Sequence, residues 1–136
     1  MSMGASAALQ AAIYQVLSGD AALQAIVGTA VHDEVPPGPI SGTSVSIGAG
    51  DVRDTSDVSG AMAEHSFVVT INSDAEGFAE GKAAAAAVSD ALVDARPVLA
   101  RGRVVGLHFV RAKARRVRAG QARRIDMTFR AIVEDT

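Results

Sequence analysis

Residues 103–117 read RVVGLHFVRAKARRV, 118–120 read RAG and 121–134 read QARRIDMTFRAIVE, and this stretch decides the fold. In its second arm Ile125, Met127, Phe129, Ala131 and Val133 alternate, over most of the length, with polar residues. That is the period of a strand with one buried face. In the first arm Val105, Leu107 and Phe109 alternate likewise. Arg118-Ala119-Gly120 between them suits a three-residue hairpin loop ending on a left-handed glycine. Such a loop pairs Val117 with Gln121 and sets Phe109 opposite Phe129, Leu107 opposite Ala131 and Val105 opposite Val133. Turn chemistry and hydrophobic pattern thus agree on one register.

The same register sets Arg115 opposite Arg123 and crowds Arg116, Arg118 and Arg124 beside them. Like charges directly opposite destabilise a strand pair. At about 3.3 Å per residue a strand from Arg103 to Val117 is roughly 50 Å long, more than so small a domain covers. The apolar phase also switches from odd to even positions at Phe109 and Val110. The distal hairpin is therefore expected to project from the core.

Upstream, Met62 to Asn72 reads as a strand with Phe67, Val69 and Ile71 on one face. Ser73-Asp74-Ala75-Glu76 has the form of a capping box, with Ser73 as N-cap. The helix it opens is expected to run to about Asp94, with Phe78, Gly81, Ala85, Val88 and Leu92 inward. Thr43 to Gly48 reads as a strand and Asp51 to Gly60 as an exposed loop. Val31-His32 begins a short strand that enters a proline-stiffened loop. Residues 6–18 place Leu9, Ile13, Val16 and Leu17 on one helical stripe. Gly19 is expected as a left-handed stop, and Asp20 as the cap of a second short helix carrying Leu23, Ile26 and Val27 and ending at Gly28. The fold class that results is α+β, as a single domain over 1–136. It has an antiparallel sheet of about four strands with a long C-terminal hairpin, one helix packed across it and two N-terminal helices.

The chain has 136 residues, 49% of them apolar, and is not a disordered sequence. Yet 27 of the apolar residues are Ala, and only 34 are Val, Ile, Leu or Phe, so the core is thin. A thin core makes subunit contacts a natural source of further burial. The absence of Cys excludes disulfides, thiolate metal sites and cysteine nucleophiles. No Lys or Arg precedes the first apolar residues, and the most apolar stretch is only Ala83 to Val88. Neither a signal peptide nor a membrane span is expected, which points to a cytoplasmic protein.

Charge is distributed unevenly. Met1 to Ala95 carries twelve acidic and two basic residues, whereas Arg96 to Thr136 carries eleven basic and three acidic. One part is built to meet something anionic. Within 111–124 Arg outnumbers Lys by six to one. Arginine is favoured where bidentate contacts to carboxylate or phosphate matter. The contact candidates are Arg111, Lys113, Arg115, Arg116, Arg118, Arg123 and Arg124. Three readings fit them: a solvated edge that discourages aggregation, carboxylates of a neighbouring subunit, or DNA phosphates. If carboxylates are the partners, the acidic surface is Asp51, Asp54 and Asp57, or Glu76 and Glu80. No aromatic residue interleaves Arg111 to Arg124, so base stacking is not expected.

Other chemistry is sparse. Gly48-Ala49-Gly50 begins like a dinucleotide loop, but Arg53 stands at the third glycine position and no helix follows. Asp51, Asp54 and Asp57 lack calcium-loop spacing. His32, His65 and His108 are far apart with no nucleophile beside them. No cofactor and no metal are expected. An enzyme with a site near His65 or His108, and a DNA-binding module built on the Arg hairpin, are the competing function classes.

The order of segments resembles the tail-terminator, or tail-completion, proteins of long-tailed phages, in the version found in gene transfer agents. The resemblance covers nearly the whole chain. It rests on Ala7-Ala8-Leu9-Gln10-Ala11-Ala12-Ile13-Tyr14, on Val31-His32-Asp33 followed by Pro36-Pro37, and on Val45-Ser46-Ile47-Gly48. It continues through His65-Ser66-Phe67-Val68-Val69-Thr70-Ile71, the helix 77–92 and Arg123-Arg124-Ile125-Asp126-Met127-Thr128-Phe129-Arg130. Two positions depart from the expected pattern: Thr43-Ser44 stands where Pro-Tyr is expected, and Asn72 where an aromatic is expected. The resemblance implies a non-enzymatic virion protein that forms a six-membered ring. Its partners would be further copies of itself, the tail tube protein and the head–tail connector (stopper) protein, with double-stranded DNA passing through the lumen. It would be cytoplasmic during assembly and then lie at the head-proximal end of the tail.

Overall fold

The computed structural model describes residues 4–33, 42–48, 50–54, 62–74, 78–93, 95–117 and 122–135, apart from the side chain of residue 54. The elements are α1 (Ser6–Ser18), α2 (Ala21–Val27), β1 (Val31–His32), β2 (Thr43–Ile47), β3 (Asp51–Asp54), β4 (Met62–Ser73), α3 (Ala79–Leu92), β5 (Arg103–Val117) and β6 (Ala122–Glu134). The strands form one sheet in the order β1-β2-β4-β6-β5, with β3 also on β4. All pairs are antiparallel except β1 with β2. The fold is α+β, with the short strand expected at Val31–His32 and one further strand, β3, where the sequence predicts a loop.

The three helices lie on one face. Odd-numbered residues of β4 and β6 point toward them: Val69, Ile71, Ile125, Met127, Phe129 and Val133 are buried against Leu9, Ile13, Leu17, Leu23, Val88 and Leu92. At the centre three phenylalanines stand in one row. Phe67 pairs with Phe129, and Phe129 with Phe109. The Phe67 and Phe129 rings stack at 5.6 Å, and Phe109 meets Phe129 edge-on at 5.7 Å. This row fixes three strands in register at once.

On either side of that row β5 shifts against β6. Irregularities fall between Val104 and Gly106 and between Phe109 and Arg111. Phe109–Phe129 and Leu107–Ala131 match the expected register, but Val133 faces Val104 rather than Val105. Beyond the second bulge Arg115 faces Arg124, and Arg116 faces Arg123. The extra residue, Val110, flips the side-chain phase of everything after it, which is the physical cause of the odd-to-even switch. The hairpin also projects less than expected. β6 remains paired with β4 as far as Ser73–Arg123. Only β5 lies at the edge, where every residue from His108 to Arg116 is exposed.

Four local expectations are corrected. Asp51 to Asp54 is a strand, because the edge of β4 beyond β2 offers its backbone as a partner. Gly50 allows it: a Cβ there would run into the Ser66 carbonyl and the Phe67 backbone. Gly19 is right-handed (φ −93°) and donates to the Gln15 carbonyl, while Asp20 N donates to that of Leu17, since α2 follows at once. Asp20 does cap α2, accepting from Leu23 N at 3.0 Å, and Gly28 ends it at φ 63°. Ser73 does not cap α3. It ends β4, where its hydroxyl accepts from Thr43 Oγ1 at 3.0 Å, and Phe78 holds the N-cap position of α3. Glu76 and the remainder of 55–60 lie outside the described residues. The buried stripe of α3 is Gly81, Ala84, Ala87, Val88 and Leu92, so Ala84 and Ala87 join it where Ala85 is only half-buried. No helix among the described residues is long and apolar enough to cross a membrane.

The phenylalanine row gives the first test. Phe129→Ala, at a fully buried position, should cost about 3–5 kcal/mol in urea unfolding, and Phe129→Leu roughly 1–1.5 kcal/mol. Phe109→Ala, 44% exposed, should cost less than half of the Phe129→Ala loss.

Candidate functional site

The bulge at Val110 sorts the basic residues onto two faces. Arg111, Lys113 and Arg115 share the face turned away from the helices, because their ladder partners are the even-numbered Thr128, Asp126 and Arg124. Arg130, opposite His108, lies on that face too and is exposed. Arg116 and its partner Arg123 lie on the helix side, where the Arg123 guanidinium stands 5.3 Å from the Phe78 ring centre. Arg118 lies outside the described residues. The seven candidates are therefore not one cluster, although their sequence spacing makes them look like one.

Asp126 organises the outward face. Its carboxylate accepts from Thr70 Oγ1 at 2.8 Å and from Arg124 Nε at 3.0 Å, and lies 3.6 Å from the Arg115 guanidinium. It thus relieves the opposition of Arg115 and Arg124, two like charges in one ladder rung. These groups are partly exposed, so each pair contributes only about 0–1 kcal/mol. Their role is to hold two guanidiniums in place on an open surface. Asp126 and Arg130 were not singled out from the sequence. The even-number parity of 124, 126, 128 and 130 was the signal that could have found them.

The acidic candidates separate as well. Asp51 is exposed on β3, and residue 54 ends the same strand, at the sheet edge opposite β5. Glu80 is exposed in the first turn of α3. Asp57 and Glu76 lie outside the described residues. The described β3 edge thus carries Asp51 and Arg53, both exposed, and is mixed in charge, whereas the β5 edge is basic.

The histidines do not converge. His108 is exposed on the outward face of β5, whereas His65 is buried on the helix side of β4. His65 lines a cavity of about 60 Å³ with Ser6, Gln10 and Asp51, but no hydrogen bond joins Ser6, His65 and Asp51. Among the described residues no three His, Cys, Asp or Glu side chains are placed to hold a metal ion.

A long strand left open along one edge offers its free backbone groups for pairing with another chain, and charge along it restricts which chain can pair. A family model, tail completion protein gp17, matches residues 11–134, and the chain belongs to that family of structural tail proteins. A chain in the solved virion of a native gene transfer agent particle is 62% identical, with a TM-score of 0.90 over 98% of this chain and 99% of that one. No curated protein matches the chain.

His65 gives a test in pH. Burial disfavours its imidazolium and holds its pKa below the ordinary 6.5. As pH falls the unfolded chain binds this proton first, so stability is full above about 6.5 and declines below it. His65→Gln should flatten the decline between about pH 7 and 5 in urea-unfolding curves. Asp135, held low by the Arg101 hydrogen bond, titrates in a separate window below 3.8.

Proposed function

We propose that this chain forms a ring that ends the tail tube and joins it to the head–tail connector, with DNA passing through its lumen and no catalysis. The observation that carries this reading is the pair of unlike sheet edges. β5 is open and basic, while β3, at the other edge, presents Asp51 among mixed charges, with β6 and β4 between them. A head-to-tail contact between such edges is heterologous, and it closes into a ring when the rotation per subunit permits. Addition of a neighbouring strand would satisfy the outer backbone groups of β5 and cover Phe109 and Val110, exposed by 44% and 49%. The partners are further copies, the tube protein and the connector protein. A six-membered ring fits the family resemblance, and the 62% identity to a chain of a gene transfer agent virion supports a place in such a particle.

Assembly of the purified chain, alone and on isolated tail tubes, tests the reading by native mass spectrometry and electron microscopy. Val110→Asp and Asp51→Arg, one on each edge, should each abolish ring formation while the free chain keeps its melting temperature. Raised salt should weaken the wild-type ring, since partly exposed ion pairs are screened. A wild-type chain that binds tubes as single subunits, or rings that form equally well from both variants, would contradict it.

A further inference from the structure

We infer that the DNA-facing surface is the outward face of β5 and β6, with Arg111, Lys113, Arg115, Arg124 and Arg130 as its phosphate contacts, and that Arg116 and Arg123 take no part. This rests on the reading above that a duplex passes through the ring. The five cations share a single carboxylate, Asp126, on their part of the sheet. The same face continues onto β4 through Ser66, Val68, Thr70 and Asn72 without any charge. Positive charge is thus concentrated toward the turn. Toward the other end Glu134 is paired with Arg103 at 2.7 Å, and Glu64 faces Arg53 across the β3–β4 ladder.

The geometry selects phosphates rather than bases. A two-stranded ribbon can enter the major groove, but β6 is held by β4 along its length and cannot insert as a free ribbon. A twisted sheet meets the sugar–phosphate surface, and among the described residues no Phe, Tyr or Trp lies on this part of the face to offer a stacking platform. Binding of this kind carries no sequence preference, which suits a surface past which any DNA must move. Asp126 sets its strength by holding the Arg115 and Arg124 guanidiniums partly neutralised.

Fluorescence anisotropy of the full chain with a labelled 20-base-pair duplex, from about 50 to 200 mM salt, tests the assignment. The triple variant Arg111→Gln, Lys113→Gln, Arg115→Gln should bind about tenfold or more weakly at low salt, with a log–log salt slope shallower by about 3. Arg116→Gln should match the wild type. Asp126→Asn should bind more tightly, a change opposite in sign that loss of structure cannot mimic. Scrambling the duplex sequence should change nothing. An unchanged slope in the triple variant, an equal loss in Arg116→Gln, or no duplex binding by the wild type at 50 mM salt overturns the inference. The triple variant should still form rings, by strand addition along β5 and the covering of Phe109 and Val110, although the loss of charge leaves those rings weaker. If it does not, its arginines belong to the subunit contact and the inference fails while the ring stands. If the wild type never forms rings, the proposed function fails whatever the anisotropy shows.

Discussion

Everything distinctive in this molecule depends on the row Phe67–Phe129–Phe109. It crosses β4, β6 and β5 at one level and pins the long hairpin to the core. The core is thin in large apolar side chains, so few other contacts could fix three strands together. Past the row, β6 keeps its partner β4 and its alternation, and β5 does not. The bulge at Val110 absorbs the difference. One extra residue changes which face Arg111, Lys113 and Arg115 occupy, and so converts a run of basic sequence into a patterned surface.

The second consequence is an exposed edge. Nine residues of β5, His108 to Arg116, are uncovered, and among the described residues no strand lies beside their outer backbone groups. Charge on such an edge discourages random strand addition, while a carboxylate such as Asp51 on the edge of a second copy encourages one particular addition. The same arginines can thus protect the free subunit and guide its assembly. The proposed division of labour assigns the strand edge to the neighbouring subunit and the outward face to DNA.

Much of the fold was legible in the sequence. The alternation of Ile125, Met127, Phe129 and Val133 identified β6, and Phe109 with Phe129 identified its pairing with β5. Helical stripes located α1 and α3, and Asp20 marked the start of α2. What escaped depended on tertiary context. Asp51-Val52-Arg53-Asp54 has one apolar residue and no periodicity, and becomes a strand only because β4 presents a free edge there. Ser73 satisfies a capping pattern, yet the pairing of β4 with β2 and β6 claims it first. The site was half legible. Charge counting found the basic strand and the acidic segment. It could not see that the bulge at Val110 turns Arg111, Lys113 and Arg115 outward and Arg116 to the helix side, nor that Asp126 joins Thr70, Arg124 and Arg115 across three strands.

The central claim is that the distal half of β5 is bare in the free chain and covered in the assembly. Hydrogen–deuterium exchange on peptides spanning 108–117, measured in the free chain and after assembly on tail tubes, tests it most directly. The account predicts fast exchange in the free chain, beside slow exchange for 125–131 of β6, and strong protection of 108–117 on assembly. Protection of 108–117 that is already complete in a verified monomer, or that does not change on assembly, would contradict it.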